Sequence, residues 1–234
     1  MTVHRPHAIL LDLDGTLIDT LDEFEHALAD MLAGLGLPGP DRTHIAHTIG
    51  KGSEHLIRSV LTRALEQDGR ASDEAAVQAL YAPAMEGYLR AYEAQQHQLA
   101  RLYPGVREGL QCLHRKGYPM AVVTNKPTRL AEPLLSATGL DAYIAFLYGG
   151  DSFARRKPDP LPLRKACERL QVAPAQALMI GDSANDAAAA RAAGCPVVLM
   201  RYGFNHGQPV EQVPADGYFD SIAEIATQLP PRSA

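Results

Sequence analysis

The sequence predicts an α/β protein: a Rossmann-like parallel sheet with helices on both faces and a helical domain inserted into it. Three observations carry this reading. Short apolar runs that stop abruptly at polar residues recur along the chain, the mark of strands buried on both faces. Helical patterns separate the later runs, and strand–helix–strand alternation builds parallel sheets. After the first run, however, roughly 100 residues pass before the next strand, where a crossover ordinarily needs far fewer.

Taken in order, Ala8-Ile-Leu-Leu-Asp-Leu13 is the first run, and it stops at Asp14-Gly15, which suits a strand entering a tight loop. The long interval that follows is helical in pattern. Leu21 to Leu35, Ile45 to Leu65 and Ala75 to Ala94 carry apolar residues at three- and four-residue spacing, with polar residues between. Leu102-Tyr-Pro-Gly105 closes the interval with a turn signal. The expected division is a core of residues 1–18 and 100–234 and an inserted helical domain of residues 19–99.

Further apolar runs follow at Met120–Val123, Ala142–Tyr148, Ala177–Ile180 and Pro196–Met200. The helices expected between them are marked by Leu130, Leu134 and Leu135 before Gly139, by Leu163, Ala166, Cys167 and Leu170 after a Pro-rich start, and by the alanine-rich stretch Asn185–Ala193 stopped at Gly194. Pro230-Pro-Arg-Ser-Ala234 reads as a frayed tail.

Bulk composition narrows the function classes. A chain of 234 residues buries enough surface to fold without disulfides or a structural metal. Its net charge of −5 offers no basic excess for a phosphate backbone, which argues against nucleic acid as a partner. No stretch has the roughly 18 apolar residues of a membrane span, and the N-terminus lacks a secretory pattern. Cys112, Cys167 and Cys195 stand apart in apolar contexts, as buried thiols of a reducing compartment do. The nine histidines, His44 and His47 included, show no zinc-ligand spacing. The chain reads as cytoplasmic.

The polar residues fall where a parallel sheet binds ligands, at the carboxyl ends of strands. Four segments supply them: Asp12-Leu-Asp-Gly-Thr16, Thr124-Asn125, Lys157-Pro-Asp-Pro160 and Gly181-Asp-Ser-Ala-Asn-Asp186. Carboxylates, a hydroxyl and an ammonium are what phosphoryl transfer to a carboxylate requires: a nucleophile, a site for a charge-offsetting metal, and donors for the phosphoryl oxygens. Asp14, two residues after Asp12, falls on the same side of the strand end in extended geometry, and it also suits an Asx-turn before Gly15.

In this order, DxDGT, a strand-ending Thr, a Lys-Pro and GDSxxD resemble the four motifs of the haloacid dehalogenase superfamily, and the inserted helices resemble its cap. Asp12-Leu-Asp-Gly-Thr-Leu-Ile-Asp19, Gly149-Gly-Asp151, Gly181–Asp186 and Tyr202-Gly-Phe-Asn205 look like its phosphoglycolate phosphatase subfamily. The resemblance implies that Asp12 is the nucleophile. It further implies that Asp14 protonates the leaving oxygen, then activates water, while its backbone carbonyl binds Mg²⁺. Asp182 would complete the Mg²⁺ site with Asp12. Thr124 and Lys157 would hold the phosphate, and Asn125 is either a phosphate contact or a turn residue. Asp186 stands either in the outer shell of the metal or as an acid at a helix N-terminus. In the cap, Gly50-Lys-Gly-Ser53 forms a small-residue loop where Lys51 either pairs with a substrate carboxylate or is a solvated lysine; His55 and Arg58 are weaker candidates.

Relatives that cleave carbon–halogen or carbon–phosphorus bonds lack the second acid, so Asp14 favours phosphate esters. The expected activity is Mg²⁺-dependent hydrolysis of a small phosphate monoester, 2-phosphoglycolate foremost, by a monomer or homodimer with neither nucleic acid nor membrane as partner. Broader sugar-phosphate or nucleotide phosphatases and phosphosugar mutases keep the same core. A signalling module phosphorylated on Asp is the alternative of another class, but such modules are about half this length and need no Asp14.

Overall fold

The structure, a computed structural model, describes residues 5–232. Met1–His4 of the N-terminal reading, and Ser233 and Ala234 of the expected tail, lie outside them. The described strands are β1 (Ala8–Leu11), β2 (Ile18–Asp19), β3 (Arg101–Leu102), β4 (Met120–Val123), β5 (Phe146–Tyr148), β6 (Ala177–Gly181), β7 (Val197–Met200) and β8 (Gly217–Phe219). Six of them form one sheet in the order β5-β4-β1-β6-β7-β8, with every neighbouring pair parallel. The first strand in sequence therefore lies in the middle, flanked by β4 on one side and β6 on the other. That is a topological switch point, where a crevice opens at the carboxyl ends of the strands.

Period-two alternation divides the sheet's side chains between two layers. Ile9, Leu11, Met120 and Val122 join the cluster with α5 (Val106–Arg115), α6 (Thr128–Ala137) and α9 (Ile222–Gln228). Leu10, Ala121, Val123 and Met179 face the opposite layer, of α7 (Leu161–Leu170) and α8 (Ala184–Ala193). Both faces are covered, which is why these strands read as continuous apolar runs.

Between β2 and β3 the chain forms α1 (Leu21–Gly34), α2 (Arg42–Thr48), α3 (Ser53–Gln67) and α4 (Glu74–Ala94). These helices pack around their own cluster, which includes Leu28, Leu32, Ile57, Leu61 and Tyr88. Asp41 accepts from the N–H groups of Thr43 and His44 to start α2, and Asp73 accepts from Ala76 N–H to start α4. β2 and β3 pair antiparallel, Ile18 opposite Leu102, so one short ribbon carries the chain out of the sheet layer and back. Among the described residues, Leu130 and Phe204 are the buried members of this cluster that come from the sheet-bearing part of the chain.

The structure departs from three sequence expectations. The Ile45–Leu65 pattern is two helices, because Gly50 and Gly52 at φ +95° and +91° break it. The Ala142–Tyr148 run is a strand only from Phe146; Asp141–Tyr143 is a 3₁₀ turn, and β5 is a half-buried edge strand. The tail is tied down at least to Arg232: Tyr118 Oη donates to Pro230 O and Arg232 N–H to Lys116 O.

Candidate active site

Three adjacent strand ends bring the polar motifs together. β1 delivers Asp12 and Asp14, β4 delivers Thr124, Asn125 and Lys126, and β6 delivers Asp182; Lys157 enters from the loop before α7. All of these side chains are buried. Carboxylate oxygens of Asp12, Asp182 and Asp186 lie within 4.8 Å of one another.

Lys157 Nζ sits 2.8 Å from Asp12 Oδ1 and 2.7 Å from Asp186 Oδ1. Its hydrogen-bond geometry is satisfied with Asp186, whereas Asp12 Oδ1 has the lysine's charge beside it but no hydrogen-bond donor. Burial alone would lower the Lys157 pKa, but the two carboxylates raise it above the ordinary lysine value, so the ammonium persists. Burial pushes Asp12 up to about 7, against the pull of Lys157 and with the repulsion of Asp186 adding to it. Asp182 is likewise raised well above the carboxylate range by burial and by repulsion from Asp186 and Asp12.

Asp182 is held from both sides. Thr16 Oγ1 donates to its Oδ1 at 2.6 Å, and Phe204 N–H donates to its Oδ2 at 2.7 Å. Asp186 caps the start of α8: its Oδ2 accepts from Ser183 Oγ at 2.7 Å and from the N–H groups of Ser183 and Asp182. With Oδ1 on Lys157, both its oxygens are engaged. Its two candidate roles, helix acid and supporter of the metal-proximal residues, are thus compatible in one geometry.

Asp14 accepts from Thr20 Oγ1 at 2.9 Å and from Lys126 Nζ at 3.2 and 3.4 Å. The Lys126 ammonium also lies over the rings of Phe24 and Tyr92, 4.4 and 4.6 Å from their centroids. Asn125 Nδ2 donates to Gly50 O and to Lys157 O, joining the cap-side loop to the Lys157 loop, so it acts at least as a tie between segments. Thr124 Oγ1 accepts from Lys126 N–H at 3.2 Å.

A small cavity opens above Asp12, lined on one side by Asp14, Thr124 and Lys126 and on the other by Phe24, Gly50 and Ser53. About 20 Å³ of it is open to water centres, roughly the room one water needs. Lys51, half-buried on the loop between α2 and α3, stands outside that lining; His55 and Arg58 do as well. Sequence reasoning missed Lys126, Thr16, Phe24 and Phe204. Lys126 had a signal, since it follows Thr124-Asn125 at the end of a buried strand, and Phe204 lies in the Tyr202–Asn205 segment already singled out.

Gly203 shows how tightly this site is packed. At φ +98° a Cβ would sit 2.6 Å from Asp182 Oδ2 and against Gly15 O. Gly203→Ala is expected to destabilise the fold by about 1–3 kcal/mol through overpacking and left-handed strain, and to weaken cation binding by displacing Asp182. Thermal melts with and without a divalent cation check this; an unchanged midpoint would contradict it.

A divalent cation fits the residues present. Four buried carboxylates (Asp12, Asp14, Asp182, Asp186) face two buried ammonium groups (Lys126, Lys157). With all four ionised, the excess of two negative charges would equal the charge of one such ion, and the raised values of Asp12 and Asp182 show the repulsion that such a counter-charge would relieve.

The comparisons with known proteins agree with this geometry. The sequence model of the haloacid dehalogenase-like hydrolase family matches residues 9–200. A phosphoglycolate phosphatase of Thiobacillus denitrificans is 43% identical over 222 residues, 95% of each chain. A phosphoglycolate phosphatase of Cupriavidus necator is 44% identical over 225 residues, 96% of this chain and 93% of that one. The crystal structure of a predicted phosphoglycolate phosphatase from Haemophilus somnus has a TM-score of 0.89 and 33% identity, covering 97% of this chain and 99% of that chain. Strand-end motifs, sheet order and full-length relatives point one way: the chain belongs to the haloacid dehalogenase-like hydrolase family.

Proposed function

We propose that the chain is a Mg²⁺-dependent phosphatase that hydrolyses 2-phosphoglycolate to glycolate and phosphate through an aspartyl-phosphate at Asp12. The observation that carries this reading is the charge pattern at the switch point: a buried nucleophile-type carboxylate beside Lys157, a second carboxylate two residues on, and oxygens of Asp12, Asp182 and Asp186 within 4.8 Å of one another, a spacing one divalent cation can bridge. The full-length similarity to phosphoglycolate phosphatases of Thiobacillus denitrificans and Cupriavidus necator supports the substrate.

Asp12 attacks phosphorus with its free carboxylate oxygen, and the ester oxygen departs with a proton from Asp14. Asp14, now a carboxylate, takes a proton from a water that attacks the aspartyl-phosphate, releasing phosphate and restoring Asp12. Lys157 holds Asp12 in line and offsets charge on the phosphoryl group, while Thr124 and Asn125 border its seat. Asp12, Asp182 and the backbone carbonyl of Asp14 would hold the cation. When bound, it supplies charge neutralisation for nucleophile and phosphoryl oxygens.

The core (residues 1–18 and 100–234) and the helical domain (residues 19–99) move relative to each other about the β2–β3 ribbon. A cavity this small must open for an ester to enter and then close to exclude water. The enzyme works in the cytoplasm on a small molecule, as a monomer or homodimer, without nucleic acid or membrane. Among the described residues no helix is long and apolar enough to cross a membrane, and the three cysteines are free.

Phosphate release across a panel of phosphate esters tests the substrate: 2-phosphoglycolate should give the highest kcat/KM, and a higher value for nucleotides or hexose phosphates would reject it. The pH dependence of cation binding gives a second check. With Asp12 raised to about 7, the cation-free site holds a proton below that pH, and the cation must expel it. Affinity by calorimetry should therefore fall as pH drops below about 7, by up to ~10-fold per unit per proton released. PH-independent affinity between pH 5.5 and 7.5 would contradict the ligand assignment.

A further inference from the structure

Among the described residues, one basic side chain lines the cavity above Asp12, and it is Lys126. Lys157 lies behind Asp12 with its ammonium engaged by Asp12 and Asp186, and Lys51 is outside the lining. Lys126 is 4% exposed. Burial leaves its charge poorly screened by water, and the aromatic faces of Phe24 and Tyr92 and the carboxylate of Asp14 hold the ammonium in place at the cavity wall.

The start of α3 lines this cavity as well. Gly52 and Ser53 line the same cavity, and there the 15-residue helix α3 begins. Its N-cap, Gly52, provides no side-chain acceptor for the first-turn N–H groups, so the positive end of the helix faces the cavity without a side-chain cap.

The chemistry of the reaction places a second anion there. Asp14 serves the leaving oxygen, so that oxygen must lie beside the Asp14 carboxylate. In 2-phosphoglycolate the carboxylate carbon is attached to the ester carbon, two bonds from the leaving oxygen. A group that close to the leaving oxygen falls beside whatever cation sits on Asp14, which is Lys126 at 3.2 Å. We propose that Lys126, together with the first turn of α3, seats the carboxylate of the substrate and is the specificity-determining residue for phosphate esters with an anionic group next to the ester carbon. The proposal rests on the phosphatase reading above and assigns to Lys126 the role that the sequence suggested for Lys51.

The test compares two esters of nearly equal size, 2-phosphoglycolate and ethyl phosphate, which carries a methyl group in place of the carboxylate. The readout is the ratio of their kcat/KM values within one protein sample, so any change in folded fraction cancels. In Lys126→Met the ratio should fall at least ~30-fold, as expected for a desolvated charge pair losing one partner. Lys126→Arg should restore much of it, and glycolate should lose its inhibition of ethyl phosphate hydrolysis in Lys126→Met. Lys126→Gln is measured alongside, in case the methionine variant fails to fold.

An unchanged ratio in the neutral variants would overturn the assignment. So would an equal loss on both esters, which would make Lys126 only a positioning residue for Asp14, or a larger fall in the ratio with Lys51→Met than with Lys126→Met. If the wild-type protein itself shows a ratio near one, 2-phosphoglycolate is not the substrate, and that failure is read without any variant.

Discussion

Asp12→Asn is expected to abolish turnover, lowering kcat by ~10⁴-fold or more, because a carboxamide cannot attack phosphorus and no neighbouring carboxylate can take its place. Asp182 is pinned by Thr16 and Phe204, and Asp186 by Lys157 and Ser183. The loss should come without loss of fold. In the cation-free protein, Asp12 has its pKa raised by burial to about 7, far above the ordinary unfolded carboxylate near 3.9. A raised carboxylate favours the folded state fully at low pH and loses that contribution as pH climbs through about 7. Asparagine carries no such pH-dependent loss, so above pH 7 and without cation the variant should melt no lower than the wild type, and its relative stability should improve with pH. Thermal melts at pH 6 and pH 8 with a chelator check the sign. A variant that becomes relatively less stable as pH rises would mean that Asp12 is stabilised as a carboxylate rather than strained by burial.

Asp14→Asn is the second large effect, and it should differ in kind. The nucleophile remains, so attack on an ester with a good leaving group still occurs, but neither the leaving oxygen nor the attacking water has its proton-transfer partner. General acid–base groups contribute ~10²–10⁴-fold, and kcat should drop by that order. p-Nitrophenyl phosphate should show a burst of about one nitrophenolate per protein followed by slow turnover, since its phenolate leaves without a proton. Ethyl phosphate, whose alkoxide needs protonation, should show no burst. Steady turnover near the wild-type rate on both esters would remove Asp14 from the mechanism.

The fold was largely legible because the sheet is buried on both faces. Met120–Val123 and Ala177–Ile180 read as strands since no polar residue interrupts them, and abrupt stops at Thr124 and Asp182 mark where the chain leaves the hydrophobic layers. Legibility failed at the edges. β8 is three residues with a half-buried centre, Gly217-Tyr-Phe219, and its propensity signal is too short to stand above its surroundings. The Ala142–Tyr148 run misled because apolar residues in a 3₁₀ turn and in an edge strand look alike in sequence.

The site was legible where chemistry needs fixed spacing and silent where it depends on tertiary approach. Asp12, Asp14, Thr124, Lys157 and Asp182 sit at strand ends or in loops at the carboxyl edge of the sheet, and their order along the chain exposed them. The position of Lys126 after Thr124-Asn125 is its one signal in the sequence. What sets it apart is the arrival of Phe24 and Tyr92 from α1 and α4, 102 and 34 residues away in sequence, and no local pattern announces that. Lys51 shows the converse. A lysine between two glycines suggested a substrate contact, yet the loop directs backbone and Ser53, rather than the Lys51 side chain, into the cavity wall.

The central claim, phosphoryl transfer to Asp12, is tested most directly by trapping. The Asp14→Asn protein, mixed with p-nitrophenyl phosphate and Mg²⁺ and quenched in acid, is treated with borohydride, which reduces an acyl phosphate to an alcohol, and then digested for peptide mass analysis. The account predicts homoserine at position 12 and nowhere else, at close to one per chain. Homoserine at another aspartate, or none while nitrophenolate is released in a burst, would contradict it.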